Sequence, residues 1–157
     1  MSDAPAATEP DPVLVEAAAA VALGHAGDRA GARARLLALW DATEDPLHRV
    51  AIAHALADVQ DDFGDELRWD RAALAAIDGL TDERVAAAGV AGPMRSLLPS
   101  LHLNLADVLR RLGRPDDAAV HVAEARACLD ALPADGYRTM IADALDRVAG
   151  SLDQPFP

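Results

Sequence analysis

Two stretches of the chain, ALGHAGDRAGARARLLAL (22–39) and VLRRLGRPDDAAVHVAEA (108–125), carry the same residue types at the same offsets. Each has an apolar helix end, then a glycine (Gly27, Gly113), then charged or turn residues. A small residue follows the glycine by five (Ala32, Ala118), and apolar ones follow by nine (Leu36, Val122) and twelve (Leu39, Ala125). Upstream, Ala20 and Ala106 precede it by seven, Leu23 and Leu109 by four. Small residues at those points let two antiparallel helices approach closely, and the glycine takes the left-handed conformation that ends the first of them. A repeated helix–turn–helix unit constrains the fold more than any other feature here.

Composition agrees. Hydrophobic residues make up 52% of the 157, which argues against disorder, and aromatics only 3%. Much of the apolar content is alanine, the best helix former and a poor core filler. The class is all-α with small-residue helix packing, and the length suits one domain.

On the positions Ala20, Leu23, Gly27, Ala32 and Leu36, and again Ala106, Leu109, Gly113, Ala118 and Val122, the chain resembles the tetratricopeptide repeat, a helical pair of about 34 residues. Glu16 and His102 stand where such units usually carry a bulky aromatic. A middle unit follows the same shape: a helix over 47–61, FGDE with Gly64 at the turn, then LRWDRAALAAIDGL. About a dozen extra residues lie in TDERVAAAGVAGPMRS (81–96), where Thr81 caps a short helix that Gly89 ends and Gly92-Pro93 turns the chain. DGYRTMIADALDRVAGSL (135–152) reads as a solitary capping helix, anchored by Tyr137. The expectation is a short α-solenoid of about three helix–turn–helix repeats with a C-terminal capping helix over 13–152, a disordered tail over 1–12 and a frayed end over 153–157.

Net charge is −12, and all 14 basic residues are arginine. Such an acidic chain opposes a phosphate backbone and argues against nucleic acid and anionic membrane surfaces as partners. Cationic ligands or arginine-rich peptides would be drawn to it. The single Cys128 excludes an internal disulfide and reads as a small buried thiol. MSDAPAATEPDP lacks the charge and apolar run of a signal peptide, and VLVEAAAAVALG is too short to span a bilayer, so a cytoplasmic location is expected. The Ala, Arg, Gly and Asp content matches the codon bias of a GC-rich bacterial genome.

HALADVQDD (54–62) sets His54, Asp58 and Asp62 four residues apart, one face of a helix. The resemblance implies that the first helix of each unit lines a concave groove. Transferred from the turn glycines, the register puts Leu14, Ala17 and Val21 there in unit one, His54, Asp58, Asp61 and Asp62 in unit two, and Ser100, Leu103, Asp107, Arg110 and Arg111 in unit three. The acids would crowd the C-terminal end of their helix, against its dipole, and residues placed against a local rule mark a candidate site. Asp65 and Glu66 read as ordinary capping residues of the next helix, and Arg110, Arg111 and Arg114 as dipole partners at a helix end. Trp69 and Trp40 read as seam packing, with Trp69 a candidate groove wall, and Asn104 needs hydrogen-bond partners.

The resulting expectation is a binding module with an acidic, His-containing groove for a peptide, a protein or a cationic small molecule. Its candidate residues are His54, Asp58, Asp61, Asp62, Trp69, Ser100, His102 and Asp107. The acidic-tail clamp of chaperone-associated repeats uses groove lysines, and this chain has none. The alternative is a small metal-binding protein or enzyme with a divalent metal on His54, Asp58, Asp62 and His102. Homo-oligomers are compatible with either.

Overall fold

The computed structural model describes residues 9–154. Among them are eight α-helices and no strand: α1 (Pro12–His25), α2 (Arg29–Ala42), α3 (Pro46–Asp58), α4 (Phe63–Ala76), α5 (Asp82–Ala87), α6 (Leu98–Arg111), α7 (Pro115–Cys128) and α8 (Gly136–Leu152). Short 3-10 turns over Ile77–Gly79, Met94–Leu97 and Leu129–Ala131 link some of them. Residues 1–8 of the expected tail and 155–157 of the expected frayed end lie outside the described residues.

Aspartate starts the helices. Asp11, Asp28, Asp45 and Asp62 cap α1 to α4, each accepting a hydrogen bond from a backbone N–H of the first turn. They recur every 17 residues, half of a 34-residue repeat. Pro12 and Pro46 follow two of these caps, and Pro115 follows Arg114, as first helical residues, where a missing N–H costs nothing. Four of the 26 acidic residues are therefore committed to helix starts.

The helices pack consecutively, α1 on α2, α3 on α4 and α6 on α7, and the pairs stack in a short solenoid-like arrangement that α8 closes. Gly27 (φ 104°) and Gly113 (φ 70°) end α1 and α6 in the left-handed region, as the repeated pattern requires. Ala20, Ala32, Ala106 and Ala118 are all fully buried at the corresponding helix contacts. Cys128 is also buried.

Unit two departs from expectation. Gly64 is not the turn: Asp62 Oδ1 accepts from Gly64 N at 2.8 Å and Asp65 N at 3.1 Å, so FGDE is already the first turn of α4. The preceding helix stops at Asp58, which puts Asp61 and Asp62 in the connection and off the His54 face. An aspartate two residues ahead of a helix position competes for its N–H groups, and that cap wins over three more residues of helix.

The core runs as a line of apolar clusters between units. Trp40 and Trp69 meet edge to face, centroids 5.1 Å apart, at the seam of the first two. On α8, Ile141, Leu145 and Val148 are buried, whereas Tyr137 is 46% exposed and does not anchor the helix.

The residues between α4 and α6 are held by a polar clasp. Arg84 of α5 donates to Asp45 Oδ2 at 2.7 Å and Asp11 Oδ2 at 3.0 Å, tying the capping residues of α1 and α3 together. His48 lies between them, Nε2 2.9 Å from Asp11 Oδ2 and Nδ1 3.0 Å from Thr43 Oγ1. Burial alone would raise the Asp11 carboxyl, but the hydrogen bonds from His48 and Arg84 outweigh it and hold it at about 2. Asp11, expected in the tail, is thus part of the fold.

Candidate functional site

The C-terminal halves of α3 and α6, with Glu66 of α4 and one face of α8, enclose an open cavity of about 590 Å³. Its wall is not simply acidic. Asp58, Glu66 and Asp107 face Arg110, Arg111 and Arg147. Arg111 grips Glu66 with both terminal nitrogens, one at 2.9 Å, and sends Nε to Asp107 Oδ2 at 3.0 Å. Its guanidinium also lies over the Phe63 ring, 4.6 Å from the centroid. Arg110 takes the other Asp107 oxygen at 2.9 Å. Glu66 and Asp107 are therefore neutralised.

Asp58 and Arg147 have no ion-pair partner among the described residues. Burial raises the Asp58 carboxyl above the ordinary range, against the pull of His54 one turn earlier, and Glu66 adds to the rise. A carboxylate so placed gains from any cation that enters.

Behind the wall runs a polar chain. Asn104 Nδ2 donates to Asp70 Oδ1 at 3.5 Å and faces His54 Nδ1 at 3.4 Å. An amide nitrogen carries two hydrogens, so Nδ1 of His54 is the acceptor and its proton sits on Nε2. Burial lowers the His54 pKa, which keeps the ring neutral at pH 7. Asp70 is 1% exposed and its Oδ2 has no partner. Burial, reinforced by Glu66, pushes its carboxyl up to about 7.

The N-terminal halves of the same helices border a second chamber of about 230 Å³, lined almost wholly by carbon. Leu47, Val50, Ala51 and His54 come from α3, Ser100 and Leu101 from α6, with Leu14 of α1 and Val90. His54 lines this chamber alone, and its contact with Asn104 separates it from the charged cavity that Asn104 lines.

Of the residues expected in the groove, His54, Asp58, Ser100 and Asp107 line one chamber or the other. Asp61 is turned outward onto Arg33, 2.7 Å away, and Asp62 is the cap of α4. Trp69 packs in the seam on Trp40. His102 sits on the α7 side of α6, its Nδ1 2.9 Å from that of His121, because it is two residues, about 200° of helix, from Asn104. The set His54, Asp58, Asp62 and His102 is therefore dispersed, and among the described residues no group of three or more His, Cys, Asp or Glu could hold a metal ion.

Glu66 reads from the sequence as a first-turn capping residue and also lines the cavity, and no local signal marks Arg147. Asp70 was detectable: it occupies the buried stripe Leu67, Asp70, Ala73, Ile77, where helical periodicity calls for an apolar residue. No helix among the described residues is long and apolar enough to cross a membrane. No protein-family model, curated protein or solved structure matches the chain.

Proposed function

We propose that this chain is a small binding module built on tetratricopeptide-like helical pairs, and that the groove between α3, α6 and α8 receives a ligand through a cationic group seated against Asp58. One observation carries the reading: Asp58 is the carboxylate of the cavity wall that no arginine neutralises, while its neighbours Glu66 and Asp107 are both paired. Neutral His54 beside it offers no competing charge. The ligand class is an amine or guanidinium, free or carried on a peptide.

Thermal-shift titration of arginine, polyamines and divalent metals on the parent and on Asp58→Asn tests this. A ligand that binds the folded state stabilises it by mass action, by about 2.7 kcal/mol at a hundredfold excess over Kd. Organic cations should raise the parent's melting temperature and leave that of Asp58→Asn unchanged. A parent that no organic cation shifts would remove the reading, and a response to metals alone would replace it.

A further inference from the structure

The charged side chains that line the cavity are the carboxylates Asp58, Glu66 and Asp107 and the guanidiniums Arg110, Arg111 and Arg147. Most of them neutralise one another, since Arg111 holds Glu66 and Asp107, and Arg110 holds Asp107. What remains is one charge of each sign. Asp58 and Arg147 pair neither with each other nor with any other described residue. Both are exposed, Asp58 at the end of α3 and Arg147 on α8. A molecule entering from the open side therefore meets a free carboxylate and a free guanidinium on different helices. A simple cation satisfies half of this. Seated on Asp58, it leaves Arg147 bare in the same cavity, where like charge opposes it. A simple anion on Arg147 faces Asp58 in the same way. A molecule with an ammonium and a carboxylate answers both, and it adds no net charge to a wall whose own charges balance.

We infer that the ligand is a zwitterion of the amino-acid type, its ammonium on Asp58 and its carboxylate on Arg147. This rests on the cation-binding reading above and names the ligand's second charge. A guanidinium takes a carboxylate through two parallel hydrogen bonds, a fit that an ammonium of the protein could not give. Asn104 supports the other end. Its amide nitrogen is committed to Asp70 and His54, and its carbonyl oxygen has no partner among the described residues, so this lining residue keeps an acceptor beside that of Asp58. Leu103, Ala144 and Val148 give the cavity carbon surface for the ligand's hydrocarbon. Joining the two charged ends in one molecule makes the second contact intramolecular, so the whole binds tighter than either end alone.

The test is calorimetric titration, at neutral pH, of glycine, β-alanine, γ-aminobutyrate, δ-aminovalerate and ε-aminocaproate, each beside the plain amine and the plain carboxylate of the same chain length. The series varies the spacing of the two charges. At least one member should bind about tenfold or more tighter than its matched amine and its matched carboxylate. Arg147→Gln should reduce that member to the level of its amine, and Asp58→Asn to the level of its carboxylate. Circular dichroism checks that both variants are helical, and the comparison of matched compounds on the parent stands without either of them. Amines that bind as tightly as the amino acids, with Arg147→Gln silent, would overturn this inference and leave the cation site standing. Carboxylates that bind as tightly as the amino acids, with Asp58→Asn silent, would overturn both readings. Absence of binding by arginine, amines and amino acids alike would remove both as well.

Discussion

Asp70 couples the groove to the stability of the fold. Its folded carboxyl titrates at about 7 against an ordinary 3.8, so the folded state holds the proton more tightly than the unfolded chain. Such a group contributes fully below 3.8 and loses its contribution as pH rises through about 7, a difference on the order of 4 kcal/mol. Glu66 and Asp58 oppose its ionisation, Arg111 favours it, and Asn104 donates to it. Asp70→Asn keeps a polar partner for Asn104 and carries no charge. It should equal the parent in urea denaturation near pH 4 and exceed it by a few kcal/mol at pH 8. Equal stability at pH 8 would show that Asp70 is not a buried acid. On the acid side the slope reverses, because burial holds His54, His102 and His121 below 6.5. Their contribution is present above 6.5 and fades as pH falls. A second residue tests the packing: Ala118 is 0% exposed at the α6–α7 contact, and Ala118→Leu should overpack it at a cost of about 1–3 kcal/mol, read as a lower melting temperature.

At the scale of elements, α5 is the piece without a counterpart in the other units, and Arg84 holds it. Its side chain is 27% exposed, and its guanidinium bridges the capping aspartates of α1 and α3. Arg84→Met keeps the stem and removes the bridge. It should cost about 1–3 kcal/mol and release the amides of α5 to hydrogen exchange while α3 and α4 stay protected. Unchanged α5 protection would mean that Val85, fully buried, is sufficient to fix the helix. Some elements are legible in the sequence and others are not. Units one and three announced themselves through Gly27 and Gly113, where the left-handed turn demands glycine and the small residues on either side have one geometric use. Thr81, Gly89 and the closing helix from Asp135 were equally local signals. The connection of α3 to α4 was not, because Asp62 can extend one helix or cap the next. That choice rests on hydrogen bonds to Gly64 and Asp65 that no spacing reveals. The clasp of Asp11, Asp45, His48 and Arg84 joins residues up to 73 positions apart, and nothing local marks it.

For the whole molecule, the groove exists because α4 carries the main contact to α6, while α3 meets α6 only through contacts such as His54–Asn104 and α8 packs on α6 and α7. Ser100 and Asp107 line the groove as the register around Gly113 predicts, His54 and Asp58 line it although Gly64 lies inside α4, and His102 meets His121 of α7 instead. Arg110 and Arg111 stand on the concave side as the register places them, whereas Arg147 arrives from the capping helix and the reach of Arg111 to Glu66 of α4 has no local signal. α8 has two tasks, covering the apolar flank formed by Ala106, Val122, Ala125 and Leu132, and supplying Arg147 and Ser151 to the cavity. A solenoid's last unit needs a polar outer face to remain dispersed. A chain ending at residue 134 should keep most of its helical signal, since α1 to α4 bury their own clusters, yet self-associate through the uncovered flank of α6 and α7. Light scattering after size exclusion reads the mass, and circular dichroism the helix. Substituting Ile141 and Leu145 together by serine in the full chain should produce the same association while leaving Arg147 present. A truncated chain that stays monomeric and helical at high concentration would mean that α8 is an appendage, and that the groove it walls is no part of the solenoid's own architecture.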